Sequence, residues 1–303
     1  MRQKAEGRIH ERITALAGPA YPAYVIQGDS TTVMVDSGLN WLGPRYLAAL
    51  EELLGETERV DYLLLTHSHY DHVGAASYLK RHLPDLRIAG HERLVELLQK
   101  PSALELMNRL SESHTELRGQ VVSEEDLSLR ALVMDEILKE GAEFDLGALT
   151  CKVYGTPGHT RDSLAFLFPE IGALFVGDAC GVFEGGAERN VRVEFLSSYQ
   201  GYLDSIARIA ALGPDMLCLA HGWVFTDEDV TDFLDTTTAE TARHRGLIER
   251  YLDAGEGDVE RAIQELGRDE YDVMGGINQE RAAYMTNLAA QVRHIAGLRE
   301  TAG

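Results

Sequence analysis

The sequence predicts an α/β protein whose chemistry gathers at the ends of buried strands, and two observations carry that reading. The apolar run Val60 to Leu65 has the length of a buried strand and ends in Thr66-His67-Ser68-His69-Tyr70-Asp71-His72, with three imidazoles and a carboxylate in six residues. The same event then recurs three times: an apolar run, a small residue, a ligand-type side chain. Leu149 to Tyr154 precedes Thr156-Pro157-Gly158-His159-Thr160, Ala173 to Val176 precedes Gly177-Asp178, and Met216 to Leu219 precedes Ala220-His221-Gly222. Open α/β sheets place their chemistry beyond the strands' C-terminal ends. The neighbouring Pro and Gly permit the tight turns that aim a ligand inward.

Taken in chain order, Ile9 to Leu16, Ala23 to Gln27 and Thr31 to Val35 read as opening strands. Pro44 to Leu54 reads as a helix, with Leu47, Leu50, Leu53 and Leu54 at helical spacing. After the strand at 60–65, Val73 to Leu83 reads as a helix and Leu86 to Ala89 as a short strand. Residues 91–140 break the pattern. Leu94, Leu97 and Leu98, then Leu104, Met107 and Leu110, mark two amphipathic helices, followed by the polar stretch Ser111 to Glu125. Leu127, Leu129, Leu132, Val133, Ile137 and Leu138 continue as helix or as a helix–strand mixture. This insertion lies between the first two ligand motifs, where a cap would supply the apolar wall that a substrate pocket needs. Padding on one face of the fold is the plainer alternative.

Glu143 to Gly147 reads as a turn and Gln200 to Leu212 as a helix. From about 226 the chain is helical: a segment capped by Asp227 or Asp229 and reaching Arg250, then Asp258 to Gly267, then Gln279 to Leu298. The last carries an apolar stripe of Ala282, Met285, Leu288, Ala289, Val292 and Ile295. Packing is its simplest use; covering the pocket and forming a homodimer are two others. The expected organisation is therefore a catalytic domain over 1–225, with a helical cap at about 91–140, and a C-terminal helical extension over 226–303.

Neutral imidazole and carboxylate suit a zinc-like or iron-like ion. Four adjacent ligand types cannot all reach one ion. The alternation turns His67 and His69 toward one ion, and Asp71 and His72 toward another. A lone His is more often a surface or capping residue, but four such groups in six positions behind a buried strand are rare by chance.

In combination these motifs resemble the metallo-β-lactamase superfamily of binuclear metallohydrolases, over roughly residues 10–225. Val33-Met34-Val35-Asp36-Ser37-Gly38 resembles that family's first motif. The resemblance implies an αββα sandwich and two divalent metal ions, Zn or Fe, with Mn a third choice. It assigns His67, His69 and His159 to the first metal, Asp71, His72 and His221 to the second, and Asp178 to both. It makes Asp36 a support that accepts the free N–H of a ligand His. An ordinary turn carboxylate is the alternative for Asp36, and local capping the alternative for Asp162. The third position of the main motif is His69, not the Glu of the flavodiiron branch, which argues against an oxygen-reducing diiron role. Two cations about 3.5–4 Å apart share a hydroxide nucleophilic at neutral pH and stabilise an oxyanion. Asp71 would orient that hydroxide and take or pass its proton. Asp71 and Asp178 are thus the expected catalytic carboxylates.

Composition narrows the class. The 303 residues are 45% hydrophobic and 25% charged, ordinary for a soluble globular protein. No run of about 20 apolar residues marks a membrane span, and Met1 to Arg8 lacks a signal peptide's apolar core, so a cytoplasmic protein is expected. Cys151, Cys180 and Cys218 lie in or beside apolar runs and read as reduced, buried thiols; Cys180 has a minor claim on the site. A net charge of −21 without a basic stripe disfavours nucleic acid as partner and hence the nuclease branches.

A small-molecule ester or thioester is the expected substrate. The length, the helical insertion, the helical tail and the string Phe175-Val176-Gly177-Asp178-Ala179 resemble the thioesterase branch of alkylquinolone signal synthesis. A glyoxalase II-like thioesterase is close in chemistry. It would need basic residues to grip glutathione, which Arg243, His244, Arg245 and Arg250 offer, although solvated helix charge explains them more simply. A lactonase or other ester hydrolase is the alternative, with Tyr199, Tyr202 and Trp223 as an apolar wall or phenolic donor. Trp223, two residues past His221, has the best claim to the pocket. From other classes come a mononuclear-iron sulfur dioxygenase, disfavoured by the complete second ligand set, and a regulatory binding protein.

Overall fold

The computed structural model describes residues 1–55, 59–114, 124–185 and 191–302. Its strands form two seven-stranded sheets. The first runs β2 (Gly7–His10), β3 (Ile13–Leu16), β4 (Ala23–Gln27), β5 (Thr32–Val35), β6 (Tyr62–Leu64), β7 (Arg87–His91) and β8 (Glu136–Leu138). The second runs β1 (Arg2–Lys4), β16 (Trp223–Thr226), β15 (Met216–Cys218), β12 (Ala173–Phe175), β11 (Leu164–Phe168), β10 (Thr150–Gly155) and β9 (Glu143–Asp145). A short hairpin pairs β13 (Val182–Phe183) with β14 (Val191–Arg192).

Three apolar layers show why the sheets stack. Val33, Val35 and Leu64 of the first sheet meet Cys151, Phe166 and Phe175 of the second in one buried cluster. The other face of the first sheet, through Val25, Met34 and Leu63, packs on α1 (Gly43–Leu54) and α3 (Ala76–His82). The other face of the second, through Leu174, Leu217 and Phe225, packs on α6 (Tyr199–Leu212), α7 (Glu228–Ala254), α8 (Val259–Gly267) and α9 (Arg281–Ala302). Helix, sheet, sheet, helix is the four-layer αββα sandwich. Strands apolar on both sides follow from that burial. The C-terminal helices share one core with the second sheet, since Ile248, Leu266, Val292 and Ile295 belong to the cluster that holds Leu217.

The differences from the sequence reading have local causes. The run 9–16 is split into β2 and β3 by a turn at Glu11 and Arg12. The helix expected at 73–83 is two pieces, α2 (Tyr70–Val73) and α3. Between them the backbone at Gly74 passes so near Gly38 that a Cβ would lie 2.5 Å from the Gly38 carbonyl oxygen. Glu143 to Asp145, read as a turn, pairs with β10 before turning. In the insertion, α4 (Glu92–Leu97) and α5 (Pro101–Glu112) are the two expected helices. Residues 126–135 are irregular, and β8 adds a parallel edge strand to β7. The part of the polar stretch at 115–123 lies outside the described residues. Among the described residues no helix is long and apolar enough to cross a membrane.

Candidate metal centre

The loop after β6 carries His67, His69, Asp71 and His72, and its conformation is held from β5. Asp36, at the end of β5, takes a left-handed backbone (φ 58°), which Asp tolerates better than most residues. Its carboxylate accepts from the Thr66 backbone N–H at 2.8 Å and from the Thr66 hydroxyl, and Oδ2 lies 2.8 Å from His72 Nδ1. A carboxylate only accepts, so Nδ1 of His72 carries a hydrogen, and Nε2 is left as the nitrogen that a cation in the cleft would take up. Two further imidazoles are set in the same way by backbone carbonyls. His159 Nδ1 lies 2.8 Å from the Glu194 oxygen, and His221 Nδ1 lies 2.9 Å from the Ala20 oxygen. Partners on the far nitrogen that fix a ligand's tautomer are a recurrent feature of metal sites.

The near nitrogens converge. His67, His69, His159 and Asp178 form one group of ligand atoms, all within 4.8 Å of one another; Asp71, His72 and His221 form a second. Asp178 stands between them. Its Oδ2 is 3.4 Å from His72 Nε2, 3.5 Å from His159 Nε2 and 3.9 Å from His67 Nε2, while its Oδ1 is 3.5 Å from His221 Nε2. His221 Nε2 is also 3.5 Å from Asp71 Oδ2. His159 Nε2 faces His69 Nδ1 at 3.0 Å. His67 Nε2, His72 Nε2 and Asp178 Oδ1 are buried without a hydrogen-bond partner. Such orphaned atoms cost free energy; cations placed among them would satisfy all three. The residues present therefore fit a metal centre.

The charges point the same way. Burial, with neighbouring imidazoles, holds His67 well below the usual histidine range and His69 at about 4, so both are neutral donors. Burial opposes charge on His72 and His221 too, but Asp178 and the other carboxylates outweigh it, raising His72 well above normal and His221 to about 9. Burial would raise Asp71 and Asp178, yet the adjacent imidazoles bring both below the usual carboxylate range. The metal-free site balances its carboxylates with protons on imidazoles, a place that divalent cations fill more fully.

A cavity of about 930 Å³ opens over this centre. Leu97, Met107 and Leu110 of the insertion form part of its wall, and Trp223 lines it too. The indole meets the Phe183 ring nearly at right angles (centroids 5.3 Å apart), and Lys4 Nζ lies 3.8 Å from its centroid. Beside the ligands, Tyr21 Oη lies 3.1 Å from His114 Nδ1, and Tyr70 Oη 3.0 Å from His114 Nε2; all three residues line the cavity. Sequence reasoning missed these, because the positions are far apart in the chain and form no motif.

Other candidates fall elsewhere. Tyr199 and Tyr202 are buried among Phe195 and Ile206 and do not line this cavity. Arg243 pairs with Glu240, and Arg245 with Glu249. Arg243 and His244 line a smaller cavity of about 150 Å³, and none of Arg243, His244, Arg245 and Arg250 lines the large one over the candidate ligands. Asp162 is buried but belongs to neither ligand group, and burial pushes the Cys180 thiol far up.

The tail is nonetheless tied to the centre. Glu194, whose carbonyl orients His159, has its carboxylate held by Arg192 and by Asn287 of α9 at 2.8 Å. Gln291 of α9 donates to the Val193 carbonyl at 2.9 Å. Arg192 also meets Glu184 at 2.6 Å and Gln279 at 3.1 Å.

An αββα sandwich with this ligand constellation defines a class of metal-dependent hydrolases, and the sequence comparison agrees. The metallo-beta-lactamase superfamily profile matches residues 19–221, and the chain belongs to that superfamily. Metallo-beta-lactamase fold-containing protein ST1585 of Sulfurisphaera tokodaii is 28% identical over 216 residues, covering 70% of this chain and 76% of that one. A hydroxyacylglutathione hydrolase of Rippkaea orientalis is 33% identical over 129 residues, 41% of this chain and 37% of its own length. An atrochrysone carboxyl ACP thioesterase of Aspergillus fumigatus is 27% identical over 203 residues, 66% of this chain and 50% of its own. Among solved structures, metallo-beta-lactamase family protein TTHA1429 of Thermus thermophilus superposes with a TM-score of 0.62 at 22% identity, covering 99% of this chain and 94% of that one.

Proposed function

We propose that the chain is a binuclear metal-dependent hydrolase that cleaves a thioester. The observation that carries the reading is the convergence of seven ligand-type side chains in two groups about Asp178. In this reading His67, His69 and His159 would hold one cation and Asp71, His72 and His221 the other, with Asp178 within reach of both. When bound, the cations supply a water deprotonated near neutral pH and polarise the substrate carbonyl. The residues do the rest. Asp36, Glu194 and Ala20 fix which imidazole nitrogen faces inward. Asp71, whose Oδ2 is 3.5 Å from His221 Nε2, would orient the attacking water and take or pass its proton. The catalytic unit is residues 1–225, and the 226–303 extension closes one side of the cleft through Gln279, Arg281 and Asn287.

Two features favour a thioester over a lactam. Both the hydroxyacylglutathione hydrolase and the ACP thioesterase among the relatives are named for thioester substrates. The cavity exceeds the needs of a compact ring and presents the apolar α5 wall to an acyl chain.

The test is thiol release from acyl-coenzyme A, acyl-glutathione and neutral thioesters by protein loaded with zinc, iron or manganese, beside His69→Ala and Asp178→Ala. Turnover that falls at least 100-fold in both variants, with folding kept, supports the reading. Wild-type turnover in either variant under metal-limited conditions refutes the binuclear mechanism. Hydrolysis of lactones or simple esters alone would move the substrate class.

A further inference from the structure

The arrangement Tyr21–His114–Tyr70 beside the ligands has a count of protons that does not close. A neutral imidazole carries one N–H and one lone pair, and each phenol can donate once. Two hydrogen bonds join the three groups, at 3.1 Å and 3.0 Å. His114 must donate to one phenol and accept from the other. The three groups hold three polar hydrogens, two are engaged, and one phenolic O–H is left over. Burial pushes the His114 imidazole down, which keeps it in the neutral form that this count needs.

The leftover hydrogen has a direction. Tyr21 packs its ring edge-on against the candidate ligand His221, with centroids 5.4 Å apart. Both phenols and His114 line the large cavity, and neither phenol makes another side-chain hydrogen bond among the described residues. Tyr70 lies on α2, one residue before Asp71. A phenol that accepts from the imidazole N–H is also a stronger donor, because successive hydrogen bonds polarise one another.

The geometry points to Tyr21 as a substrate-binding hydrogen-bond donor, its hydroxyl aimed by His114 and Tyr70 at an oxygen of a carbonyl or carboxylate held over the metal centre. Tyr21 is the catalytic member, since its O–H touches the substrate oxygen. His114 and Tyr70 are positioning residues that act through it. The donor adds to the charge stabilisation of a developing oxyanion, and the binding of a carboxylate product uses the same contact. This inference rests on the hydrolase reading for its turnover arm only.

The experiment uses the metal-loaded full chain and Tyr21→Phe, His114→Ala and the double variant, with metal content and Tm measured on each. Removing a single oxyanion donor costs on the order of 10²–10³ in kcat, so Tyr21→Phe should lose about 100-fold in kcat with KM nearly unchanged. His114→Ala should lose less. The double variant should be no worse than Tyr21→Phe, because a group that only aims Tyr21 has nothing left to aim; multiplied losses would overturn the positioning role. Calorimetric binding of octanoate, a carboxylate product mimic, is the second readout and should weaken about tenfold in Tyr21→Phe. If wild type shows no turnover but Tyr21→Phe still weakens octanoate, the donor stands and the hydrolase reading falls. Equal kcat and equal octanoate affinity in Tyr21→Phe overturn the donor. A wild type that neither turns over nor binds octanoate overturns both.

Discussion

Asp36→Asn isolates what the support behind a candidate metal ligand contributes. In the native site one carboxylate serves three donors: the Thr66 N–H, the Thr66 hydroxyl and His72 Nδ1, each at 2.8 Å. Alanine would leave the Thr66 N–H and the imidazole N–H without acceptors, at about 1–3 kcal/mol each, and so about 2–6 kcal/mol together. That is a large part of a typical stability of about 5–15 kcal/mol, and any loss of metal would be confounded with unfolding. Asparagine keeps the shape and also tolerates the positive φ. Its oxygen can still accept from Thr66 N–H, but its NH₂ then faces His72 Nδ1. The imidazole must turn that nitrogen into an acceptor and move its proton to Nε2, the atom that faces the cleft. A ligand nitrogen is thereby blocked with no change in packing. Loss of such a supporting partner typically costs 10–100-fold in metal affinity, or about 1.4–2.7 kcal/mol. Competition against a chelator of known affinity should show one of two sites weakened by that factor, with Tm of the metal-free protein within a few degrees of wild type. Two sites of unchanged affinity in Asp36→Asn would refute both the tautomer argument and the place of His72 in the centre.

The remaining predictions concern charge, backbone and substrate. With metal removed, His221 titrates at about 9 against an ordinary value of 6.5. Its folded value is the higher, so its contribution to stability is complete below 6.5 and is lost as pH rises through about 9. The Tm of chelator-treated protein should therefore fall between pH 7 and 9, and the metal-loaded protein should lack that fall; a flat metal-free profile would contradict the pairing of His221 with Asp71 and Asp178. Zinc added near pH 7 should release protons, seen with a pH indicator, because His72 and His221 must give theirs up. Gly158→Ala should lower Tm by on the order of 10 °C, since Gly158 has φ 142° and its added Cβ would lie 2.3 Å from the Tyr202 backbone, shifting the turn that carries His159. Leu110→Ser in the cavity wall should raise KM for octanoyl thioesters far more than for acetyl thioesters, at about 0.8 kcal/mol for each methylene no longer covered; equal effects on both would remove α5 from the acyl site.

Much of this molecule was legible in the chain, and what was legible shares a cause. β6, β12 and β15 are largely buried and appear as apolar runs, whereas β10 alternates buried Cys151 and Val153 with half-exposed neighbours; each run breaks where its loop turns toward the centre. Tail helices over 228–254, 259–267 and 281–302 begin and end within a few residues of the breaks that Asp and Gly mark. What escaped lacks local signal. Arg2–Lys4 has no apolar pattern and is a strand only because β16 lies beside it to accept its pairing. Glu143 to Asp145 resembles a turn by composition and becomes an edge strand through β10. Tyr21, Tyr70 and His114 meet only after the insertion folds over the first sheet. The carbonyls of Glu194 and Ala20 that orient His159 and His221 are backbone atoms, which any residue would supply. For the basic cluster around Arg243 the simpler reading, charge on a solvated helix face, fits: Arg243 and Arg245 pair with glutamates on their own helix.

The bond from Asn287 to Glu194, and from Gln291 to the Val193 carbonyl, changes what counts as an exchangeable part. A tail grafted from a relative at residue 226 would arrive without Asn287 and Gln291, and the Val193–Glu194 segment behind His159 would lose what holds it. Recombination that works should instead cut ahead of β14 and carry 191–302 as one block, so that Arg192, Glu194 and α9 travel together. Lineages of such proteins should then inherit their tails and the 192–194 segment behind His159 as a pair, and a chimera library split at both points would reveal it in the fraction of members that retain metal.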